Sequence, residues 1–232
     1  METLECIRTR RSIRSFKDQP IEFYKIGLLL DAANHAPSSG NVQNWRYILI
    51  TSKDSMHQIS ALAAGQECIA NAAILLIACS DDEDVEMHYG LRGKRLYTVQ
   101  NVAASIQNIL LAAHDLDLGA VWVGAFDEEK LSAMLGVPPI GRIHALLAIG
   151  YPNEEPIRKY MKPLEMLTFF RSYGNRIDDI HIVLRDYSVE WQKQATKLKD
   201  VATKGLGTGK GFLKKSLDLF KEKLKERKNK GK

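Results

Sequence analysis

The chain has 232 residues, of which 45% are hydrophobic and 26% are charged, the composition of an ordinary globular protein with room for one substantial core or two small ones. The formal net charge is +5, but residues 192–232 contain 14 Lys/Arg and 4 Asp/Glu, whereas the remaining residues contain 19 and 24. The longest apolar run, residues 72–79, is far too short to span a bilayer, and three widely spaced cysteines argue against a disulfide framework and a zinc site. The acidic start METLE lacks the apolar segment of a signal peptide, so we expect a cytoplasmic protein.

Apolar spacing and turn residues predict helices and strands in mixed order. The predicted helices cover residues 3–9, 21–36, about 56–64, about 95–117 and 127–135. The predicted strands cover residues 45–51, 72–79, 119–126 and 142–152. Thr3 is the expected cap of the first helix, and Gly136 is the expected stop of the last one. Because these elements do not alternate regularly, they favour an α+β sandwich, a sheet flanked by helices, over a doubly wound fold.

The C-terminal part of the chain differs in composition from the rest. We predict a main domain, a C-terminal extension, a glycine-rich linker and a basic amphipathic helix with its tail, over residues 1–175, 176–202, 203–211 and 212–232. The basic helix can lie on an anionic membrane surface through residues 212–228, but it can equally pack against protein or remain in solvent. Nucleic acid is a less favoured partner, because few aromatic residues interleave with the lysines.

Two stretches before the first strand carry residues suited to ligand binding. The first is RTRRSIRSF, residues 8–16, which has four arginines in seven positions. Guanidinium groups and serine hydroxyls can together bind a phosphate, although a solvated basic turn has the same composition. The second is APSSGNVQNW, residues 36–45, a loop that offers Ser38, Ser39 and Asn41 as hydrogen-bonding groups. Its alternative is an ordinary polar loop whose serines cap a neighbouring element.

Two further stretches lie at the ends of predicted strands. GAVWVGAFD contains Gly119 and Gly124, and a glycine at the end of a strand lets the backbone approach a ligand closely. We expect Trp122, between them, to belong to the core. IGYPNEEPIRK ends in Arg158 and Lys159, which form either a second phosphate-binding pair or a solvated pair. No stretch matches a dinucleotide-binding fingerprint, a phosphate loop or a nucleophilic triad.

Taken together and in this order, the four stretches resemble the nitroreductase family of flavoproteins, from about residue 3 to residue 173. The predicted central helix, VQNVAASIQNILLAAHDL, is similar to that family as well. The resemblance implies a nitroreductase-like α+β sandwich with a central, mostly antiparallel sheet flanked by helices. It also implies an intertwined homodimer that binds FMN at its interface without a covalent link.

The resemblance further implies which residues bind the flavin. Arg10 would meet the phosphate, Arg14 would face the pyrimidine side of the ring, and the Gly124 amide would lie near flavin N5. The loop residues 37–41 would come from the partner chain. No catalytic side chain and no metal ligand is implied. The full set of implied cofactor-binding residues is Arg10, Arg11, Ser12, Arg14, Pro37, Ser38, Ser39, Asn41, Gln66, Val123, Gly124, Arg158 and Lys159.

The implied activity is hydride transfer from NADH or NADPH through flavin N5 to a nitroaromatic, a quinone or a related small acceptor. Other reductive chemistry of the same family, such as dehalogenation or flavin conversion, stays open. The alternative is a non-enzymatic flavin-fold binding protein, peripheral at a membrane or another anionic surface through its basic C-terminal helix. Asn44 stands where the family usually has a proline before the loop tryptophan. We expect this departure to change the turn without removing the flavin contacts.

Overall fold

The structure, a computed structural model, describes residues 1–157 and 160–176. The chain divides into two units, Met1–Lys159 and Tyr160–Lys232. The described part of the second unit contains a short 3₁₀ helix, Leu164–Met166. The predicted extension, linker and basic helix lie outside the described residues, apart from the first residue of the extension. In the part of the chain that the structure describes, no helix is both long and apolar enough to cross a lipid bilayer.

The described part of the first unit is built from helices and strands in mixed order. The helices are α1 (Thr3–Thr9), α2 (Phe23–Asn34), α3 (Lys53–Leu62), α4 (Glu67–Ala70), α5 (Glu83–Arg92), α6 (Thr98–Asp115) and α7 (Glu128–Leu135). The strands are β1 (Trp45–Ile50), β2 (Ile74–Asp81), β3 (Gly119–Val123) and β4 (Gly141–Gly150). A π-helical turn, Gly93–Tyr97, joins α5 to α6.

The four strands form one sheet in the order β1-β2-β4-β3, and every neighbouring pair is antiparallel. The central strand β2 is apolar from Ile74 to Cys79 because helices cover both faces of the sheet. Its side chains alternate between two cores, so that Leu76 packs on one face and Leu75 and Ile77 pack on the other. The fold is therefore the α+β sandwich with an antiparallel sheet that the sequence predicts.

Each face of the sheet is covered by its own set of helices. On one face, α2 and α6 contribute Leu29, Ile106 and Ile109, which are fully buried. On the other face, α3 and α7 contribute Met56 and Leu131, which are fully buried as well. This two-layer covering leaves the two edge strands, β1 and β3, as the places where further segments can join the sheet.

Most of the predicted elements are confirmed, but several details are wrong, and the short helix α4 was not predicted. Thr3 is the first helical residue and makes no side-chain cap, because α1 begins one residue earlier than a threonine cap requires. Trp122 is 39% exposed instead of buried, since it alternates along β3 with Val121 and Val123, whose side chains point to the opposite face and are buried in the core there. Helix α5 was not predicted, because Val85 is its only buried residue and its apolar pattern is weak. Gly136 stops α7 as predicted, in a left-handed conformation with φ 68°.

Two glycines of the sheet make room for the arginine-rich segment. A Cβ atom on Gly119 would lie 2.8 Å from the Ile13 side chain, and one on Gly150 would lie 2.9 Å from Phe16. Both Ile13 and Phe16 are buried, so they anchor the segment on the sheet. The space at Gly119 is thus taken by the chain itself, which corrects the expectation that this glycine serves close approach of a ligand.

Replacing Gly119 with alanine is expected to lower the free energy of unfolding by about 1–3 kcal/mol, because the added methyl group overlaps Ile13. Urea denaturation followed by circular dichroism measures the change. Gly27→Ala is the matched control, since nothing lies within 4 Å of a Cβ atom at Gly27 in α2. The control should leave the protein equally or more stable. Equal stability of the Gly119→Ala variant and the unaltered protein would contradict the anchoring role of Ile13.

Candidate functional site

The arginine-rich segment, residues 8–16, meets the edge of the sheet beside β3 at Ser12 and Ile13. Ser12 forms a parallel bridge to that strand, and the Ile13 N–H donates a 3.1 Å hydrogen bond to it. Because the Ile13 side chain points into the core, its neighbours point away from it. Three arginines of the segment, together with Ser12 and Glu154, line an open cavity of about 390 Å³.

The guanidinium groups of this segment differ in what they contact. Arg11 Nη1 donates hydrogen bonds of 2.7 and 2.8 Å to the carbonyl oxygens of Arg8 and Arg10, so Arg11 closes the turn that follows α1. Arg10 and Arg14 form no ion pair within residues 1–157 and 160–176. Both guanidinium groups line the cavity together with two carboxylates, Glu154 and Glu155, and neither forms an ion pair with them.

Glu154 holds the arginine-rich segment against the turn that follows β4. Its Oε1 atom accepts hydrogen bonds from the backbone N–H groups of Arg14 and Ser15. A backbone hydrogen bond of 2.9 Å from Asn153 to the Ser15 carbonyl adds a second connection. The sequence marked this turn only through the stretch IGYPNEEP and did not single out Glu154. Its role depends on a contact across 140 residues of chain.

Gln66 connects the turn before α4 to the loop that follows β3. Its Nε2 atom donates a 3.2 Å hydrogen bond to the carbonyl oxygen of Ala125. Val123, the last residue of β3, is buried, whereas Gly124, the first residue of the loop, is exposed. A Cβ atom on Gly124 would meet only the indole nitrogen of Trp122, at 3.9 Å. The backbone at Gly124 is therefore accessible, as close approach of a flat ligand requires.

Arg14 stands between two cavities. It lines the cavity of about 390 Å³ and also a second one of about 520 Å³, where Lys53, His57 and Asn71 are among its neighbours. Burial raises the pKa of the nearby Cys68 thiol, and the positive charge of Arg14 opposes that rise. Because it is exposed to both cavities, the Arg14 guanidinium can contact a ligand that occupies either one.

The serine loop, residues 37–41, leads into β1 and is held by internal hydrogen bonds. Ser38 Oγ accepts a 3.1 Å hydrogen bond from the backbone N–H of Gln43. The backbone N–H and the hydroxyl of Ser39 both donate to Asn101 Oδ1, at 2.9 and 3.2 Å. Pro37 and Asn41 are exposed. The loop therefore has a fixed shape and presents polar groups to the outside.

The predicted site residues fall into two groups on opposite edges of the sheet. The first group lies beside β3 and consists of Arg10, Arg11, Ser12, Arg14, Gln66, Val123 and Gly124. The second group is the serine loop, which leads into β1. Two strands lie between these edges, so the edge strands are roughly 14 Å apart at a spacing of about 4.8 Å per strand. Arg158 and Lys159 lie outside the described residues, and their role stays a prediction.

The first group contains residue types that can bind an anion. It combines unpaired guanidinium groups, a serine hydroxyl and an accessible glycine backbone. Among residues 1–157 and 160–176, no cluster of histidine, cysteine, aspartate and glutamate is arranged to hold a metal ion. The group can therefore hold a phosphate and position a flat, polar ring system, and it contains no arranged nucleophile.

Comparison with known proteins identifies the family. The sequence model of the nitroreductase family matches residues 7–151, which is more than half of the chain. The chain belongs to the nitroreductase family. A protein of Archaeoglobus fulgidus, provisionally named NADH dehydrogenase/NAD(P)H nitroreductase, is 33% identical over 158 residues, which cover 66% of this chain and 87% of that protein. The resemblance seen in the four stretches is thereby confirmed.

Two further nitroreductase-family relatives cover more of the chain. The FMN reductase [NAD(P)H] of Bacillus subtilis is 27% identical over 210 residues, which is 84% of each chain. The solved structure of the NADPH:FMN oxidoreductase from Vibrio harveyi, complexed with NAD⁺, superposes with a TM-score of 0.69 at 23% identity. That superposition covers 93% of this chain and 96% of the other. At 23% identity the superposition shows a common fold, and this fold confirms the predicted fold class.

Proposed function

We propose that this nitroreductase-family protein is an NAD(P)H-dependent oxidoreductase that binds FMN non-covalently and reduces a nitroaromatic, a quinone or a related small acceptor. The observation that carries the proposal is the cavity of about 390 Å³ in which Arg10 and Arg14 have no ion-pair partner among the described residues. A phosphate-bearing cofactor satisfies such charges. The names of the similar proteins from Bacillus subtilis and Vibrio harveyi support FMN and a nicotinamide nucleotide as the ligands.

The residues of the first group fit FMN by their chemistry. Arg10 and Ser12 are proposed to bind the phosphate, because they combine a charge without an ion-pair partner and a hydroxyl at one cavity. Arg14 is proposed to face the pyrimidine side of the ring. The backbone at Gly124 is proposed to lie against the ring, since among the described residues only the Trp122 indole nitrogen, at 3.9 Å, lies within 4 Å of a Cβ atom there. When bound, FMN supplies the hydride-transfer chemistry that protein side chains lack. The protein residues bind and orient it.

The serine loop is proposed to complete the flavin site of a second copy of the chain. Its position on the edge opposite the arginine-rich segment supports this division. Helix α2 also exposes Phe23, Tyr24 and Leu28, which are apolar side chains suited to an interface between two copies. Sedimentation of the full chain should give the mass of two chains. A monomer that retains FMN with full affinity would contradict the two-chain site.

The colour and the redox behaviour of the purified chain test the proposed function. The full chain should be yellow or should become yellow when FMN is added, and NADH or NADPH should bleach it in the absence of oxygen. Steady-state assays with both nucleotides and with nitroaromatic and quinone acceptors then identify the donor and the acceptor class. A chain that stays colourless after addition of FMN would overturn the proposal.

A second proposal concerns residues 212–228, which lie outside the described residues. The observation that favours it is the charge difference between residues 192–232, with 14 Lys/Arg and 4 Asp/Glu, and the mildly acidic remainder. In this second proposal, residues 212–228 bind an anionic membrane surface. Co-sedimentation with anionic vesicles should be stronger for the full chain than for a truncation before Gly205. Equal binding of both forms would rule out anchoring by this segment.

A further inference from the structure

A buried pair of amide side chains connects the serine loop to the start of α6. Asn44 is 2% exposed and Asn101 is 3% exposed. The Asn101 Nδ2 atom donates a 2.9 Å hydrogen bond to Asn44 Oδ1, and the Asn44 Nδ2 atom donates a 3.1 Å hydrogen bond to Thr98 Oγ1. The remaining Asn101 oxygen accepts both hydrogen bonds from Ser39. These hydrogen bonds form one chain from Thr98 to the serine loop.

The backbone that this pair holds adopts conformations that most residues avoid. Gly40 has φ 57°, Asn41 has φ 59° and Gln43 has φ 46°. Left-handed non-glycine residues persist where surrounding contacts enforce them, and they are frequent at ligand-binding sites. Asn101 supplies such contacts on one side of the turn, through both donors of Ser39. The buried amide pair is therefore well placed to maintain the shape of the loop.

The identity of residue 44 is part of this arrangement. Its side chain is a member of the chain of hydrogen bonds, and its carbonyl oxygen accepts a 2.8 Å hydrogen bond from the backbone N–H of Asp81. A proline at this position would remove the amide. It would also restrict Gln43 to extended conformations, whereas Gln43 has φ 46° here. The asparagine and the left-handed turn thus depend on each other.

We propose that Asn44 and Asn101 are positioning residues for FMN binding, which act by holding the serine loop in the shape that contacts the cofactor. The inference rests on the proposed function. It extends that function because neither asparagine is among the residues assigned to the flavin. The change of turn expected from Asn44 stays a prediction, whereas its hydrogen bond with Asn101 connects it to the contacts of the serine loop.

The first test is the dissociation constant of FMN for full-length variants. Asn101→Ala removes the acceptor of both Ser39 hydrogen bonds, and it should raise the dissociation constant about tenfold. Asn108→Ala is the matched control, because Asn108 lies on the same helix and donates one 2.9 Å hydrogen bond to the Ala32 carbonyl, away from the loop. The control should change the constant by less than about twofold. An equal effect of the two substitutions would overturn the proposal.

A milder substitution keeps the test valid if Asn101→Ala does not fold. Thr98→Val removes only the hydroxyl that accepts from Asn44, at a residue that is 1% exposed. It should raise the dissociation constant of FMN about threefold. If neither Thr98→Val nor Asn44→Pro changes the dissociation constant of FMN, the pair Asn44 and Asn101 does not position the serine loop for FMN binding.

A double-mutant cycle separates positioning from general stability. If Asn101 acts through Ser39, the combined Asn101→Ala and Ser39→Ala variant should lose less affinity for FMN than the product of the two single losses. For the combined Asn108→Ala and Ser39→Ala variant, the loss of affinity for FMN should equal the product of the two single losses. Multiplicative effects in both combinations would overturn the proposal. If the unaltered chain does not bind FMN, the proposed function fails and this inference falls with it; if it binds FMN, only the inference is in question.

Discussion

Replacing Arg10 with alanine is expected to raise the dissociation constant of FMN by roughly 10- to 100-fold, because a charge-assisted hydrogen bond contributes about 1.5–3 kcal/mol. Arg10 lines the cavity of about 390 Å³ and has no ion pair among the described residues, so its charge has no other partner there. Quenching of flavin fluorescence during titration of the flavin-free protein measures the constant.

Arg8→Ala is the matched control for this substitution. Arg8 is exposed, and its carbonyl oxygen, which alanine retains, accepts a hydrogen bond from Arg11. The control should leave the dissociation constant within about twofold of the unaltered value. If Arg8→Ala and Arg10→Ala weaken FMN binding equally, the effect is one of overall charge, and the assignment of Arg10 to the phosphate is wrong.

Replacing Arg14 with alanine is expected to lower the midpoint potential of bound FMN by roughly 30 mV or more. A cation beside the ring stabilises the reduced flavin, which carries negative charge, more than the oxidised flavin. A tenfold loss of the preference for reduced over oxidised flavin lowers the midpoint potential of a two-electron couple by about 30 mV. Spectroscopic titration against a reference dye measures the potential, and the dissociation constant of oxidised FMN should change less than in the Arg10→Ala variant.

Lys17→Ala provides the control for this second substitution. Lys17 carries the same charge and is exposed. Its backbone N–H donates to the Tyr151 carbonyl at 2.8 Å and its carbonyl accepts from the Gln19 N–H at 2.8 Å, and alanine retains both hydrogen bonds. Its removal should leave the potential of bound FMN unchanged within the error of the titration. A potential that is unaffected by Arg14→Ala, or that falls equally in both variants, would show that Arg14 does not face the ring.

The elements that the sequence predicted well are those in which local pattern and burial coincide. Strand β2 is apolar from Ile74 to Cys79 because both faces of the sheet are covered there, and the sequence predicted a strand over residues 72–79. Helix α7 ends at a glycine that adopts the left-handed conformation expected of a helix stop. Helix α5 carries no such pattern, since it lies largely exposed, and it was missed for that reason.

The site was predictable in its parts but not in its connections. The order of the four stretches indicated the arginine-rich segment, the serine loop and the glycine-containing strand. It did not indicate that Glu154 binds the backbone at Arg14, a contact across 140 residues. Nor did it indicate the hydrogen bond between Asn44 and Asn101, a contact across 57 residues. Such pairs have no spacing rule, because only the assembled sheet brings their elements together.

The sequence by itself determined the α+β class, the family and the residue types that can hold an anionic cofactor. These properties follow from the periodicity of apolar residues and from short motifs read along the chain. Only the tertiary structure decided that Ile13 takes the space beside Gly119, that Trp122 is exposed at a sheet edge, and that the two groups of site residues lie on opposite edges. The physical reason is that close packing and hydrogen bonding between distant segments depend on where the whole sheet and its helices place them.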